Sequence, residues 1–169
     1  MENIHDPHNV GAMLRSADAV GLQEVHLVYT VERFPRLGKK SSASATKWVD
    51  RKKYSSIQEC YQSLRAQGFI IYATRLSKKA VSLYDLDLTG KVALVFGNEH
   101  RGVSDEASRH ADVVFQIPMM GMIQSLNVSV ACAVTLYEAL RQRVTKGFYG
   151  SRRLLSGQYR RLFDEWTAR

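Results

Sequence analysis

Cysteine, proline and long apolar runs are all scarce in this chain. The two cysteines, Cys60 and Cys132, stand far apart in apolar-periodic surroundings, which fits reduced, buried thiols and argues against a disulfide framework or a zinc site. Three prolines beside 11 glycines exclude a collagen-like or low-complexity chain. No apolar run reaches the roughly 18 residues of a membrane span. Met1 to Asp6 has neither a basic n-region nor an apolar h-region. The expectation is a cytoplasmic protein. What is present, 45% apolar and 24% charged residues in 169 positions, suits one globular domain with a single core.

The net charge of +8 is unevenly spread. Arg33, Arg36, Lys39, Lys40, Lys47, Arg51, Lys52 and Lys53 against Asp50 make residues 33–53 net +7. Arg141, Arg143, Lys146, Arg152, Arg153, Arg160, Arg161 and Arg169 against Asp164 and Glu165 make residues 139–169 net +6. The remaining body is therefore net −5. Two basic surfaces on an acidic domain favour a polyanionic partner over a pair of merely solvated segments. Tyr149, Tyr159 and Trp166, interleaved with the C-terminal arginines, point toward RNA, because exposed rings can stack on bases.

Hydrophobic spacing sets out the elements. Asn9 reads as the cap of a helix carrying Val10, Met13, Leu14, Ala17 and Val20, closed by Gly21, with a strand over 24–29 behind it. Ile57, Cys60, Tyr61 and Leu64 mark a second helix, closed by Gly68, and 69–73 a second strand. Residues 92–96 and 113–117 read as further strands, with a short helix over 104–110 between them. Residues 127–144 read as a long helix whose first three turns are apolar nearly all round, as in a helix buried on several sides. Residues 30–47 read as the longest loop. Alternating strands and helices predict an α/β domain with one mostly parallel sheet covered on both faces.

Common nucleotide motifs fail. Gly97 to Gly102 follows a strand with Walker-like glycine spacing, but Val103 and Ser104 stand where a P-loop needs Lys and Ser or Thr. Even so, a strand end opening into a glycine-bounded turn is where open α/β sheets bind ligands. His5 and His8 lack a third ligand nearby, so no metal is expected. Arg15 falls among the apolar residues of the first helix. A snorkelling surface arginine and a functional one are both open there. Ser125, Leu126 and Asn127 can be a plain helix cap.

Taken together, three ordered stretches resemble the SpoU branch of the SPOUT RNA methyltransferases. They are Asn3 to Ala12 with Arg15, Leu94 to Glu99 with Gly102, and Ile117 to Met119 with Gln124 to Ala131. The similarity runs from about residue 2 to 144. With the arginine-rich extension, it is greatest to the TrmH-type tRNA guanosine 2′-O-methyltransferases. The resemblance implies an α/β fold with a deep C-terminal trefoil knot. It places the methyltransferase domain at 1–144 and a basic extension with a short helix at 145–169. Members usually carry a further segment ahead of the position of Met1, so the first strand is expected as a stub around Glu2 to His5.

By the same resemblance, S-adenosylmethionine is held at Thr74, Gly97, Ile117, Met119 and Leu126, while Arg15 acts on a ribose 2′-hydroxyl. Asn9 and Glu99 orient that arginine and the ribose, and Ser125 and Asn127 complete the site. Arg33, Lys39, Lys40, Arg141, Arg143, Arg152 and Arg153 are the expected RNA contacts, tRNA the expected substrate, and a homodimer the expected assembly. The alternatives are a ribosomal RNA 2′-O-methyltransferase, a catalytically inactive RNA-binding protein of the same fold, and, from another class, a small-molecule α/β enzyme. The two basic blocks disfavour the last.

Overall fold

The computed structural model describes residues 1–38, 45–150 and 156–168. Helix α1 (Pro7–Ala19) begins one turn earlier than the Asn9 cap predicts. Asp6 is its cap, accepting the His8 amide at 2.7 Å, and Pro7 occupies the first turn, where its missing N–H costs nothing. Asn9 is thereby freed from capping and sits inside the helix, buried beside Val10, Met13 and Leu14. Strand β1 (Glu24–Val28) follows, then α2 (Ala45–Trp48) and β2 (Asp50–Tyr54). Both α2 and β2 lie in sequence that predicts only a basic block and a loop. β2 is polar along its length because it lies beside β1 with mostly exposed residues, and Lys52 pairs across to Glu24 at 2.6 Å. With no alternation of apolar residues, such a strand leaves no period-two signal.

The remaining elements are α3 (Ile57–Ala66), β3 (Ile70–Thr74), β4 (Val81–Ser82), a one-turn 3-10 helix (Leu83–Asp85), β5 (Val92–Val95), α4 (Asp105–His110), β6 (Val113–Gln116), α5 (Val128–Thr145) and α6 (Ser156–Thr167). All strand pairs are parallel, as expected, but the strands form two sheets instead of one: β1-β2, and β4-β6-β3-β5. Met1 to Asn3 joins them. The Glu2 amide donates to the Phe96 carbonyl at 2.9 Å, and the Asn3 amide to that of Val28 at 2.9 Å. Elsewhere β1 and β5 line a cavity of about 750 Å³ with Cys60, Cys132 and Leu136.

Helices cover both faces. Ile71, Ala73 and Val95 pack against α3 and α4 through Ile57, Tyr61, Leu64 and Ala107. Phe96 packs with α1 and α5 through Val10, Leu14, Cys132 and Leu136, while Tyr72, Leu83, Leu88 and Phe115 pack toward Ala139. Each fully buried side chain of this kind contributes about 1.5–3 kcal/mol. The core is thus three linked clusters, and the sheet's C-terminal edge is held from both sides.

Helix α5 departs from the expected burial. Cys132, Thr135, Leu136 and Ala139 are buried, but Val130 and Tyr137 are 46% and 52% exposed, so one apolar face of the helix is open. Beyond it, the Tyr149 hydroxyl donates to the Val20 carbonyl at 3.1 Å, and Trp166 of α6 meets Trp48 of α2 edge-on at 6.1 Å.

Candidate active site

β3 lies between β5 and β6, so the chain leaves three adjacent strands at Thr74, Gly97 and Ile117 on the same edge of the sheet. After β5 the backbone turns sharply. A Cβ on Gly97 would stand 2.2 Å from the backbone of Gly102 and Val103, so only glycine fits there. The turn is closed by the Gly102 amide donating to the Asn98 carbonyl at 2.7 Å, and Gly102 takes φ +68°. This returning turn projects Glu99 toward the start of α1.

Glu99 is received by a full set of donors. Its Oε1 accepts from the Asp6 amide at 3.0 Å and from Asn9 Nδ2 at 2.9 Å, while Oε2 accepts from the His5 amide at 2.9 Å. Partial burial pushes this carboxyl up. The Asn9 side chain and the His5, Asp6 and Glu99 amides outweigh burial and hold it below the usual carboxylate range. Glu99 is therefore ionised at neutral pH and a poor proton acceptor. Asn9 continues the chain of contacts, its Oδ1 accepting from Asn127 Nδ2 at 3.0 Å. Asn127 also caps α5, with its Oδ1 taking the Ser129 amide at 2.8 Å and the Ser129 hydroxyl at 2.6 Å. Capping and site-building are two uses of one side chain. Residues 118 positions apart in sequence are joined in this way.

Of the five residues expected to do the chemistry, Asn9, Glu99 and Asn127 form one network. Arg15 and Ser125 do not join it. Both are exposed, and neither side chain has a hydrogen bond or ion pair among the described residues. Of the expected donor-binding positions, Thr74 spends its hydroxyl on the Val95 carbonyl at 3.0 Å, leaving the backbone at the strand end to serve a ligand. From Ile117 to Leu126 no group is hydrogen-bonded to another described residue, and Met120, Met122 and Ile123 are 95%, 98% and 71% exposed. Unengaged amides and carbonyls beside open apolar side chains fit a nucleoside with an apolar ring face and a polar ring edge. The residues present therefore suit S-adenosylmethionine. None of the residues assigned to the donor or to transfer lines the cavity between β1 and β5.

The basic positions divide. Arg33 is exposed, while Lys39, Lys40, Arg152 and Arg153 lie outside the described residues. Arg141 is held in a fork by Glu138, with both contacts at 2.8 Å. Arg143 donates to the Leu88 and Gly90 carbonyls at 3.0 and 2.8 Å. The last two arginines thus have partners within the fold. Among the described residues no group of three or more His, Cys, Asp or Glu could hold a metal, and His5 instead lies 3.4 Å from Glu32. No helix is long and apolar enough to cross a membrane, among the described residues.

Sequence reasoning did not single out Asn98. Its Oδ1 accepts the His100 and Arg101 amides, and its Nδ2 donates to the Asn3 carbonyl at 2.8 Å. The signal in the sequence is its place in the Leu94 to Glu99 motif, between Gly97 and Glu99 in the turn after a strand.

Known proteins are similar to this chain in sequence and in fold. The sequence profile of the SpoU rRNA Methylase family matches residues 1–137. The tRNA (guanosine(18)-2′-O)-methyltransferase of Thermus thermophilus is 43% identical over 166 residues, which are 98% of this chain and 85% of that protein. The crystal structure of the A. aeolicus TrmH/SpoU tRNA modifying enzyme superposes with a TM-score of 0.91 at 36% identity, covering 98% of this chain and 84% of that one. The SpoU methyltransferase AviRb from Streptomyces viridochromogenes, crystallised with the cofactor AdoMet, matches with a TM-score of 0.75 at 28% identity over 85% of this chain and 59% of that one. A match over most of its length, three intact motifs and the joined Asn9, Glu99 and Asn127 together mean that the chain belongs to the SpoU rRNA methylase family.

Proposed function

We propose that the protein transfers a methyl group from S-adenosylmethionine to the ribose 2′-hydroxyl of a guanosine in tRNA. The observation that carries the reading is the Asn127–Asn9–Glu99 network, set beside three strand ends and an unengaged loop in a chain of this family. The donor supplies an activated methyl on a sulfonium. The protein's part is then to hold a ribose oxygen in line with that carbon and to ease loss of its proton. Thr74, Gly97, Ile117, Met119 and Leu126 would hold the donor. Glu99, saturated with donors and ionised, orients its neighbours and does not take the proton. Arg15, whose side chain has no hydrogen bond or ion pair among the described residues, is the group available to the 2′-hydroxyl. As a planar five-donor fork it positions and polarises the hydroxyl, and the proton released as that oxygen takes the methyl would pass to a substrate phosphate or to water. Ser125 would complete the ribose side.

A polyanion would meet the two basic blocks, with Arg33, Lys39, Lys40, Arg152 and Arg153 as phosphate ligands. Arg141 and Arg143 add to the positive field. The open face of α5, with Val130 and Tyr137, suits a second copy of the chain, and a tRNA substrate is in keeping with a cytoplasmic protein. We also read the 1–144 domain as knotted, with 145–169 as its RNA-facing extension.

Transfer of labelled methyl to tRNA transcripts tests this, and guanosine 18, the target in the relative's name, is the first position to map. Arg15→Lys should lower transfer by about a hundredfold or more while leaving donor binding unchanged, since a compact ammonium cannot replace a five-donor fork. Near-normal turnover by that variant, or no transfer to any tRNA by the parent, would overturn the assignment. Sedimentation of a single 19.1 kDa species at micromolar concentration would overturn the dimer.

A further inference from the structure

Asn3 is buried, in a left-handed conformation at φ +50°, where asparagine is among the few tolerated residues. Every polar group it has is used. Its amide donates to the Val28 carbonyl at 2.9 Å, and its carbonyl accepts from Asn98 Nδ2 at 2.8 Å. Its side-chain Oδ1 accepts three successive amides, those of Thr30, Val31 and Glu32, at 2.9, 3.0 and 3.1 Å, while Nδ2 reaches the Thr30 hydroxyl at 3.3 Å. Thr30 to Glu32 opens the segment that carries Arg33 and Arg36. Asn98, on the other side, brackets the turn that presents Glu99. A second tie runs outside the first, with Arg101 Nη2 at 2.7 Å from Glu32 Oε1.

From these contacts we infer that Asn3, through Asn98 and the outer Arg101–Glu32 pair, is a positioning residue that holds the Arg33–Arg36 segment in register with the Glu99 turn. The inference rests on the RNA reading above, because it gives the register its purpose. Phosphates gripped by the first basic block are set at a fixed offset from the carboxylate network. A three-amide acceptor is suited to this role. It fixes the direction of a loop backbone more firmly than one contact could, and when it is removed the three amides must find water.

The test measures binding of a fluorescent tRNA transcript by anisotropy, with donor affinity by calorimetry on the same samples. Asn3→Gly keeps the left-handed backbone and removes only the side chain. It should weaken tRNA about tenfold and leave donor affinity within about twofold. Asn3→Asp retains the acceptor and should bind tRNA nearly as the parent does. Arg33→Gln with Arg36→Gln should weaken binding in the parent but add little on top of Asn3→Gly, since a misplaced segment no longer delivers its arginines. Glu32→Gln, at the surface and expected to fold whatever Asn3→Gly does, separates register from charge. Simple electrostatics predicts tighter tRNA binding on losing an acid, whereas loss of register predicts weaker binding.

Parent-like affinity in a folded Asn3→Gly, full additivity with the arginine changes, or tighter binding by Glu32→Gln would each overturn the inference. If the Arg33 and Arg36 changes alone leave affinity and salt dependence untouched, the RNA reading of this segment fails, and the inference falls with it.

Discussion

Replacing Glu99 with glutamine probes the site at its centre. The carboxylate takes two donors on Oε1 and one on Oε2. Glutamine can keep the Asp6 amide and Asn9 Nδ2 on its carbonyl oxygen, but its NH₂ must then face the His5 amide, donor against donor. One charge-assisted bond is lost outright and two become neutral, which together cost about 1–3 kcal/mol. For a chain of 169 residues that is a fall of roughly 2–12 °C in melting temperature at neutral pH. The pH dependence carries the stronger test. The folded carboxyl lies below its ordinary value of about 4.3, so its contribution is complete above that value and is lost as pH falls through the lowered one. The gap between parent and Glu99→Gln in thermal melts should be full at neutral pH and should close in acid. An unchanged melting temperature at neutral pH would refute the reasoning, as would a gap that persists undiminished into strong acid. Asn9→Ala shares the network, so its cost should not add fully to that of Glu99→Gln.

Gly97→Ala must displace the Gly102 backbone from 2.2 Å, so we expect destabilisation of about 3 kcal/mol or more and loss of donor binding, read by melting and calorimetry. Arg143→Gln should lower the melting temperature by several degrees through the freed Leu88 and Gly90 carbonyls, with the salt slope of tRNA binding unchanged. A slope flattened by about 0.7–0.9 would show that it is a phosphate ligand instead. Burial pushes the Cys60 thiol up to about 11 and that of Cys132 up to about 12. Both should resist thiol reagents in the native protein near pH 8 and react on denaturation.

Much of this protein is determined locally and can be read from the chain. The stripe Val10, Met13, Leu14 and Ala17 is apolar at helical spacing, and all four side chains are buried. The runs at 69–73, 92–96 and 113–117, read as strands, became the parallel strands 70–74, 92–95 and 113–116 packed between helices, because burial satisfies a mostly apolar run. Asn9, Glu99 and Asn127 could be nominated from three ordered motifs. Other features are decided only in three dimensions. Asn9 satisfies the local rule for a helix cap, and it was Asp6 with Pro7 that took that role, leaving Asn9 to bridge Glu99 and Asn127. β2 has no apolar alternation, since its stability comes from pairing with β1 and from the Lys52–Glu24 contact. The partner of Arg141 is local, Glu138 three residues back on the same helix, whereas Arg143 reads as a free basic residue because its partners, the Leu88 and Gly90 carbonyls, are chosen by packing. The same holds for Asn3, whose three amide partners lie 27 to 29 residues away. Periodicity reports what a side chain does to its own segment. Which polar group meets which across segments depends on where the folded sheet brings them, and that information is in no single stretch of the chain.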